Sequence, residues 1–179
     1  NSTQEDWSVS VVDFNIELAQ KKINNHPQGS YFKLDANDDI ERRKFISKSN
    51  VVISMLPANM HYKVLKDAVD CGVHVITPSY ITDEIKSLNQ SALENKVLVL
   101  NELGLDPGID HMSAMQVIHR IKAEGGEILS FQSSTGGLVA PKYDNNPWNY
   151  KFTWNPRNVV LAGQGVSKFI RNGNYKYIP

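Results

Sequence analysis

The hydrophobic and polar positions of this chain predict strands and helices that alternate. Short apolar or β-branched runs indicate five strands, at Ser8–Phe14, Ser30–Leu34, Asn50–Leu56, Val73–Thr77 and Lys96–Asn101. Apolar residues at helical spacing predict the helices between them, at Ile16–Ile23, Ile40–Lys48, Met60–Cys71 and Asp83–Glu94. Short connections between alternating strands and helices are typical of a parallel sheet covered on both faces. The first part of the chain is therefore predicted to be an α/β domain.

The pattern changes after the fifth strand. A long helix over Asp110–Glu124 ends at a pair of glycines, and a strand is predicted at Glu127–Ser134. Further elements are an irregular segment at Lys142–Pro156, a helix at Val159–Ile170, and a hairpin turn at Gly173 before Tyr175–Ile178. We expect one domain over residues 1–125 and the beginning of a second, α+β domain over residues 126–179.

The glycine motif of dinucleotide-binding domains is absent from this sequence. That motif, G-x-G-x-x-G, connects the first strand to the first helix, and the first strand is central in the usual order 3-2-1-4-5-6. Two interpretations follow. The chain is a Rossmann domain whose first strand and glycine loop lie upstream of Asn1, or it has a different α/β fold that never carried the loop. We expect the former.

Composition removes several classes of protein. The chain has 19 basic and 19 acidic residues, so no basic excess indicates a nucleic-acid partner. No apolar run approaches the ~20 residues of a membrane span, and the polar N-terminus does not resemble a secretory signal. A single cysteine, Cys71, fits a reducing compartment, and we expect a cytoplasmic protein. Five histidines without metal-ligand spacing predict no metal site, and no G-x-S-x-G motif supports a hydrolase.

Several candidate cofactor residues follow the predicted strands, where open α/β sheets bind ligands. Asp13 ends the first of these strands and, with Phe14 and Asn15, is placed to meet an adenosine ribose. An acid there repels a 2′-phosphate, which predicts NAD as cofactor with NADP possible. An Asp at a strand end or helix cap is an equally good interpretation. The other candidates at strand ends are Asp35, Ala36, Leu56, Pro57, Pro78 and Ser79, which plain turns would also explain.

The segment Asn101–His111, with the sequence NELGLDPGIDH, carries the most information. It contains two glycines, a proline and three acids, and it lies between an apolar strand and a long helix. Asp106 precedes a proline and is therefore held extended, so its carboxylate can orient an amine or carry a proton. Asp110 is a candidate helix cap, and we expect a structural role for His111.

Four segments together resemble saccharopine dehydrogenase of the glutamate-forming type. They are VVISMLPANMH, ITPSYIT, NELGLDPGIDHMSAM and STGGLVAP with the downstream DNNPWNYKFTW, and they extend from Val51 to the C-terminus. The resemblance implies a pyridine-nucleotide oxidoreductase of lysine metabolism, with a Rossmann domain and a substrate and dimerisation domain. Such an enzyme interconverts saccharopine with glutamate and 2-aminoadipate 6-semialdehyde through an imine, and forms a homodimer.

The resemblance also implies roles for individual residues. Ser79 and Tyr80 would contact substrate, and Asp106 would bind or protonate the reacting amine, with Tyr80 as the second proton-handling group. Leu105, Asp106 and Pro107 would pass under the nicotinamide. Leu56 would touch the cofactor ribose, and Asn155 would lie close to it.

One departure from the family pattern leaves alternatives open. Thr135 stands where the family has a cysteine, at a position expected to contact substrate. The change is compatible with a related carboxynorspermidine or homospermidine enzyme. It is also compatible with a non-catalytic nucleotide-binding relative, which the absent glycine loop would suit.

Overall fold

The computed structural model describes residues 6–134, 139–153, 155–162 and 165–178 of the 179-residue chain. Contacts divide the chain into two units, Asn1–Leu129 and Ser130–Pro179. Across the described residues, no helix combines the length and the apolar character that crossing a membrane requires.

The first unit confirms the predicted alternation of strands and helices. Its elements are β1 (Val9–Asp13), α1 (Ile16–Ile23), β2 (Gly29–Lys33), α2 (Asp39–Ile46), β3 (Val51–Ile53), a 3-10 turn (Ala58–Met60), α3 (His61–Asp70), β4 (His74–Ile76), α4 (Asp83–Lys86), α5 (Asn89–Glu94), β5 (Val99–Leu100) and α6 (Ile109–Ala123). The single helix predicted over Asp83–Glu94 is two helices, because α4 ends at Lys86 and α5 begins at Asn89.

All strand pairs of the first unit are parallel, in two separate sheets. Strand β1 pairs with β2, and the order of the other sheet is β3-β4-β5. Among the described residues, β1 and β3 therefore each have one edge without a hydrogen-bonded strand. In the strand order 3-2-1-4-5-6 of a Rossmann domain, strands 2 and 4 lie on either side of strand 1. If β1 and β3 of this chain correspond to strands 2 and 4, their unpaired edges are the ones that strand 1 would join.

The core lies where α3 packs on β4. Its eight buried side chains are Ile46, Val64, Leu65, Ala68, Val73, Val75, Ile85 and Leu88. Leu65, Ala68 and Val75 are completely inaccessible to solvent. The helical spacing of residues 64, 65 and 68 gives α3 one continuous apolar face, and the α4–α5 segment covers β4 with Ile85 and Leu88. The rigid support of this sheet is therefore built around α3 and β4.

A buried ion pair joins α2 to α3. Arg42 Nε donates to Asp67 Oδ2 at 2.8 Å, and the two side chains are only 6% and 8% exposed. Arg42 Nη1 also donates to the backbone oxygen of Ala36 at 2.6 Å. One turn further along α2, the ring of Phe45 lies 5.2 Å from the ring of Phe32 in β2. Helix α2 thus connects β2 to the core of the β3-β4-β5 sheet.

The second unit corrects two sequence predictions. No strand forms at Glu127–Ser134, where Leu129 is 88% exposed and no strand among the described residues pairs with the segment. The helix predicted at Val159–Ile170 is wrong in its second half. Helix α7 covers Pro156–Ala162, and Ser167–Arg171 is strand β6, because it pairs with strand β7 at Asn174–Ile178.

The hairpin turn at Gly173 is confirmed. Asn172 and Gly173 join the two antiparallel strands with φ of 52° and 75°. Positive φ at both central residues is characteristic of the type I′ turn that suits a two-residue hairpin loop. A 3-10 turn at Pro141–Tyr143 overlaps the beginning of the segment predicted to be irregular.

Removing the carboxylate of Asp67 is expected to lower the free energy of unfolding by about 3–5 kcal/mol, because the buried Arg42 would lose its buried carboxylate partner and keep the ion pair with Asp39, which is 76% exposed. Asp67→Ala is compared in denaturant titrations with Asp70→Ala. Asp70 forms ion pairs with Arg43 and Lys66 on the same helix pair but is 31% exposed. The control is expected to cost about 0–1 kcal/mol. Equal losses for the two variants would contradict the importance of the buried pair.

Candidate functional site

The carboxyl ends of β3, β4 and β5 carry most of the predicted site residues. Leu56 and Pro57 follow β3, Pro78 to Tyr80 follow β4, and residues 101–108 follow β5. Because the three strands are parallel neighbours, their following loops emerge at the same edge of the sheet. The structure thus brings together segments that are up to about fifty residues apart in sequence, and the edge is a candidate ligand-binding face.

Glu102 holds the loops after β4 and β5 together. Its backbone N–H donates to the Ser79 oxygen at 3.1 Å, and its Oε1 accepts from the Ile81 N–H at 3.2 Å. The next N–H, of Leu103, donates to the Thr77 oxygen at 3.3 Å. Glu102 makes these contacts with φ of 62°, a conformation that is uncommon for a residue with a side chain. The three bonds fix Ser79 and Tyr80 against the beginning of the following loop.

The loop over residues 104–108 closes on itself through backbone hydrogen bonds. Gly104 N–H donates to the Pro107 oxygen at 2.9 Å, and Ile109 N–H donates back to the Gly104 oxygen at 3.0 Å. Gly108 has φ of 146°, and a Cβ there would overlap the Gly104 carbonyl oxygen and lie 2.7 Å from its nitrogen. Only glycine fits this position.

The closed loop presents Leu105 and Asp106 to solvent. Leu105 is 74% exposed and Asp106 is also exposed, while Pro107 and Gly108 are buried beneath them. An exposed apolar side chain and an exposed carboxylate therefore follow one another on a loop that its own hydrogen bonds hold. Tyr80, which is 57% exposed, projects from the neighbouring loop.

A buried polar cluster lies under the loop after β4. Ser54 Oγ is 2.9 Å from His61 Nδ1, and Thr77 Oγ1 is 3.3 Å from the same nitrogen. Thr77 Oγ1 in turn accepts from the Ser79 N–H at 3.2 Å. Burial lowers the pKa of His61, so its imidazole is neutral at pH 7. The cluster joins the ends of β3 and β4 and fixes the backbone at Ser79.

Asp110 and His111 form a pair in the first turn of α6. Asp110 Oδ1 accepts from the Gly108 N–H and from His111 Nδ1, both at 2.8 Å. The hydrogen bond with Asp110 is the largest cause of a raised pKa at His111, and the charges of Asp110, Asp106 and Glu102 act in the same direction. A shallow cavity of about 250 Å³ is lined by Glu102, Leu103, Gly108, His111 and Met112.

A second group of predicted residues follows β1 and β2. Asp13 Oδ1 accepts from the Asn15 N–H at 2.8 Å, and the Asn15 side chain caps α1 by accepting from Glu17 and Leu18. Phe14 between them is 68% exposed. Asp35 Oδ1 forms an Asx turn with the Asn37 N–H at 2.9 Å, and Ala36 is held by Arg42. These residues therefore do cap a helix or form turns, and such roles still allow them to contact a ligand at the exposed end of the strands.

Two of the predicted residues lie in the second unit. Asn155 Oδ1 accepts from the Arg157 N–H at 3.0 Å at the beginning of α7. Thr135 lies outside the described residues. The described residues contain no group of three or more His, Cys, Asp or Glu side chains placed to hold a metal ion.

Sequence reasoning missed three features that shape the site. The bond from Glu102 to Ile81 spans 21 residues, and the Arg42–Asp67 contact spans 25, so neither leaves a local pattern. Lys33 is the third, because it is the Cα partner of Asp13 in the β1-β2 register. Its Nζ lies 5.6 Å from the centroid of the Phe14 ring. The sequence did contain a signal for Lys33, because an acid ends β1 and a base ends the neighbouring strand β2.

Comparison with protein families gives two matches that together account for nearly all of the chain. Residues 2–100 match the saccharopine dehydrogenase NADP binding domain, and residues 104–179 match the saccharopine dehydrogenase C-terminal domain. The first match ends at β5, and the second begins inside the loop that carries Asp106.

Individual relatives agree with the family matches. The chain is 37% identical over 172 residues to "Saccharopine dehydrogenase [NADP(+), L-glutamate-forming]" of Schizosaccharomyces pombe, covering 96% of this chain and 38% of the relative. It is 36% identical over 173 residues to "Alpha-aminoadipic semialdehyde synthase" of Arabidopsis thaliana, covering 97% of this chain and 16% of that one.

A solved structure shows the same fold. It is apo saccharopine dehydrogenase (L-Glu forming) from Saccharomyces cerevisiae, at a TM-score of 0.85 and 34% identity, covering 99% of this chain and 40% of that one. The chain thus spans about two fifths of this protein and of the S. pombe relative. The α/β fold with a Rossmann-type nucleotide-binding domain is confirmed, and the chain belongs to the saccharopine dehydrogenase family.

Proposed function

We propose that the complete protein interconverts saccharopine and water with glutamate and 2-aminoadipate 6-semialdehyde, using a pyridine nucleotide as hydride acceptor or donor. The observation that carries the proposal is the rigid face formed by the loops after β4 and β5, which presents Tyr80 and Asp106 together. The names of relatives 36–38% identical to this chain supply the substrate. A protein that only binds a nucleotide would not need an exposed acid such as Asp106 on a loop that backbone hydrogen bonds hold in one conformation.

The described residues fit a dinucleotide along the carboxyl edges of the strands. Asn101 Nδ2, at the end of β5, is buried and has no hydrogen-bond partner among the described residues. A buried donor in that condition is satisfied by a ligand or an ordered water. We assign Asp13, Phe14, Asn15, Asp35 and Ala36 to the adenosine end, and Leu56, Pro57, Pro78, Ser79, Leu105, Asp106, Pro107 and Asn155 to the nicotinamide end. When bound, the nucleotide exchanges a hydride with the carbon attached to the substrate nitrogen.

The chain's own residues orient the substrate and handle its protons. Asp106 accepts a hydrogen bond from the protonated secondary amine of saccharopine and takes up the proton that must leave before the imine forms. Tyr80 and Ser79 bind the substrate from the neighbouring loop, whose backbone is held by Glu102 at the Ser79 oxygen and the Ile81 N–H. Thr135 is assigned to the substrate pocket, where its hydroxyl replaces the thiol that the family resemblance implies.

We favour NADP over NAD as the physiological cofactor. Asp13 favours NAD by repelling a 2′-phosphate, but Lys33 supplies a positive charge at the same end of the β1-β2 sheet. Its ammonium group extends toward Phe14, beside the position assigned to the ribose. Relatives whose names specify NADP(+) support the same choice.

Assembly and location belong to the same proposal. We assign the first domain to residues 1–125 and the second to residues 126–179, and propose a cytoplasmic homodimer. Helix α6 is the feature that favours a dimer. None of its 15 residues is buried, and Ile109, Met112 and Met115 are each at least 45% exposed, so its apolar side chains offer a surface that another subunit could cover.

Asp106→Asn is expected to lower the turnover number for saccharopine by about 10²–10⁴-fold while the protein still binds NADP+. The amide preserves the size of the side chain and can still accept a hydrogen bond, but it cannot take a proton from the amine. Steady-state rates of the complete protein are compared with Asp83→Asn, an acid that is 97% exposed on α4. An unchanged turnover number would show that Asp106 is only a loop residue.

Lys33→Ala is expected to weaken NADP+ binding by about tenfold, or about 1.4 kcal/mol, and to leave NAD+ binding within about twofold. The reason is that only NADP+ carries the 2′-phosphate that the ammonium group would meet. Calorimetric titration with both cofactors measures the effect, and Lys21→Ala on the exposed face of α1 is the control. Tighter binding of NAD+ than NADP+ by the unmodified protein would contradict the cofactor assignment.

A further inference from the structure

We propose that His111 is a catalytic base of the reaction assigned above, and that Asp110 orients it toward the cavity beside Glu102. The inference rests on the proposed function, because it needs a substrate that is hydrolysed as an imine. It replaces the structural role expected for His111 from sequence.

The geometry fixes which nitrogen faces the substrate. Asp110 Oδ1 is a carboxylate oxygen and only accepts, so the 2.8 Å contact requires a hydrogen on His111 Nδ1. In the neutral imidazole the other nitrogen, Nε2, is then the acceptor. Among the described residues Nε2 has no hydrogen-bond partner, and the ring is 69% exposed and lines the cavity. A carboxylate that fixes the tautomer of a histidine whose second nitrogen meets the substrate is the arrangement of a general base.

The pair is itself held rigidly. Asp110 Oδ1 also accepts the Gly108 N–H at 2.8 Å, and Gly108 belongs to the loop that presents Asp106. Asp110 N–H donates to the Leu105 oxygen at 3.1 Å. His111 and Asp106 are thus connected through one short, closed segment, and any change of the loop moves both groups together.

The proposed step is the addition of water to the protonated imine formed by hydride removal. A water oxygen forms a bond to the imine carbon, and the electron pair of the C=N π bond moves to nitrogen. The proton lost by the water passes to His111 Nε2, giving a neutral amino alcohol and an imidazolium. Asp110 stabilises the imidazolium, and in the reverse reaction the same imidazolium returns the proton.

The charges around His111 define the pH dependence. Asp110, Asp106 and Glu102 all raise the pKa of His111, so the base is lost as pH falls through a value above its ordinary one. Because a base must be neutral, kcat/KM for saccharopine is expected to fall on the acid side with that pKa. Replacing Asp110 by Asn removes the largest cause and moves the acid limb to lower pH.

The test compares pH profiles of kcat/KM for saccharopine in the complete protein and three variants. His111→Gln is expected to lose the acid limb and about 10²–10⁴-fold in turnover, with cofactor affinity retained. Asp110→Asn is expected to keep the limb but shift it to lower pH. His119→Gln, an exposed histidine two turns further along α6, is expected to match the unmodified protein.

A second readout does not depend on turnover. Nitrogen-15 NMR of the cofactor-free protein reports the tautomer and pKa of His111, and we expect it to carry its hydrogen on Nδ1 and to have a pKa above the ordinary value of a histidine. If His111→Gln retains both the acid limb and a turnover number within about threefold, the role of His111 is overturned while the proposed function stands. If the unmodified protein does not turn over saccharopine, the proposed function and this role both fail.

Discussion

Glu102 makes the contacts on which the candidate site depends. Its backbone and side chain bind both ends of the Ser79–Ile81 segment, so the loops after β4 and β5 form one surface. The positive φ of Glu102 turns the chain sharply after β5 and allows the loop over residues 104–108 to close on itself. Tyr80, Asp106 and His111 acquire defined positions only because these backbone contacts leave the loops little freedom.

Support for this surface comes from below and from the side. The buried cluster of Ser54, His61 and Thr77 ties the end of β3 to the end of β4, and it carries the Ser79 N–H. Arg42 and Asp67 connect α2 to α3 and hold the Ala36 carbonyl. Polar groups buried in this way are costly unless they are hydrogen-bonded. Two of their bonds, to the Ser79 N–H and to the Ala36 oxygen, hold residues assigned to the proposed ligand site.

Sequence periodicity predicted most of the first unit because each of its elements has a strong local signal. The apolar face of α3 and the β-branched runs of β1 and β4 needed no information from elsewhere in the chain. The same periodicity gave a wrong prediction at Ser167–Arg171, which is a strand and not a helix because it pairs with β7. It failed also at Glu127–Ser134, because an apolar run becomes a strand only when a neighbouring strand supplies hydrogen bonds.

The site residues were likewise predictable only in part from the sequence. Parallel strands bring their carboxyl ends together, so residues such as Ser79 and Asp106 could be grouped from the order of the elements alone. The partners that position them could not, since Glu102 reaches Ile81 across 21 residues and Arg42 reaches Asp67 across 25. The pair Asp110–His111 is adjacent in sequence, yet its orientation depends on a Gly108 backbone that only the folded loop defines.

Hydrogen–deuterium exchange of the complete protein is the most direct test that the loops after β4 and β5 form one ligand-binding face. On addition of NADP+ and saccharopine, the account predicts that amides of residues 77–81 and 101–111 become protected together, while those in the middle of α3 are unchanged. Protection of only one loop, or of neither, would contradict the account.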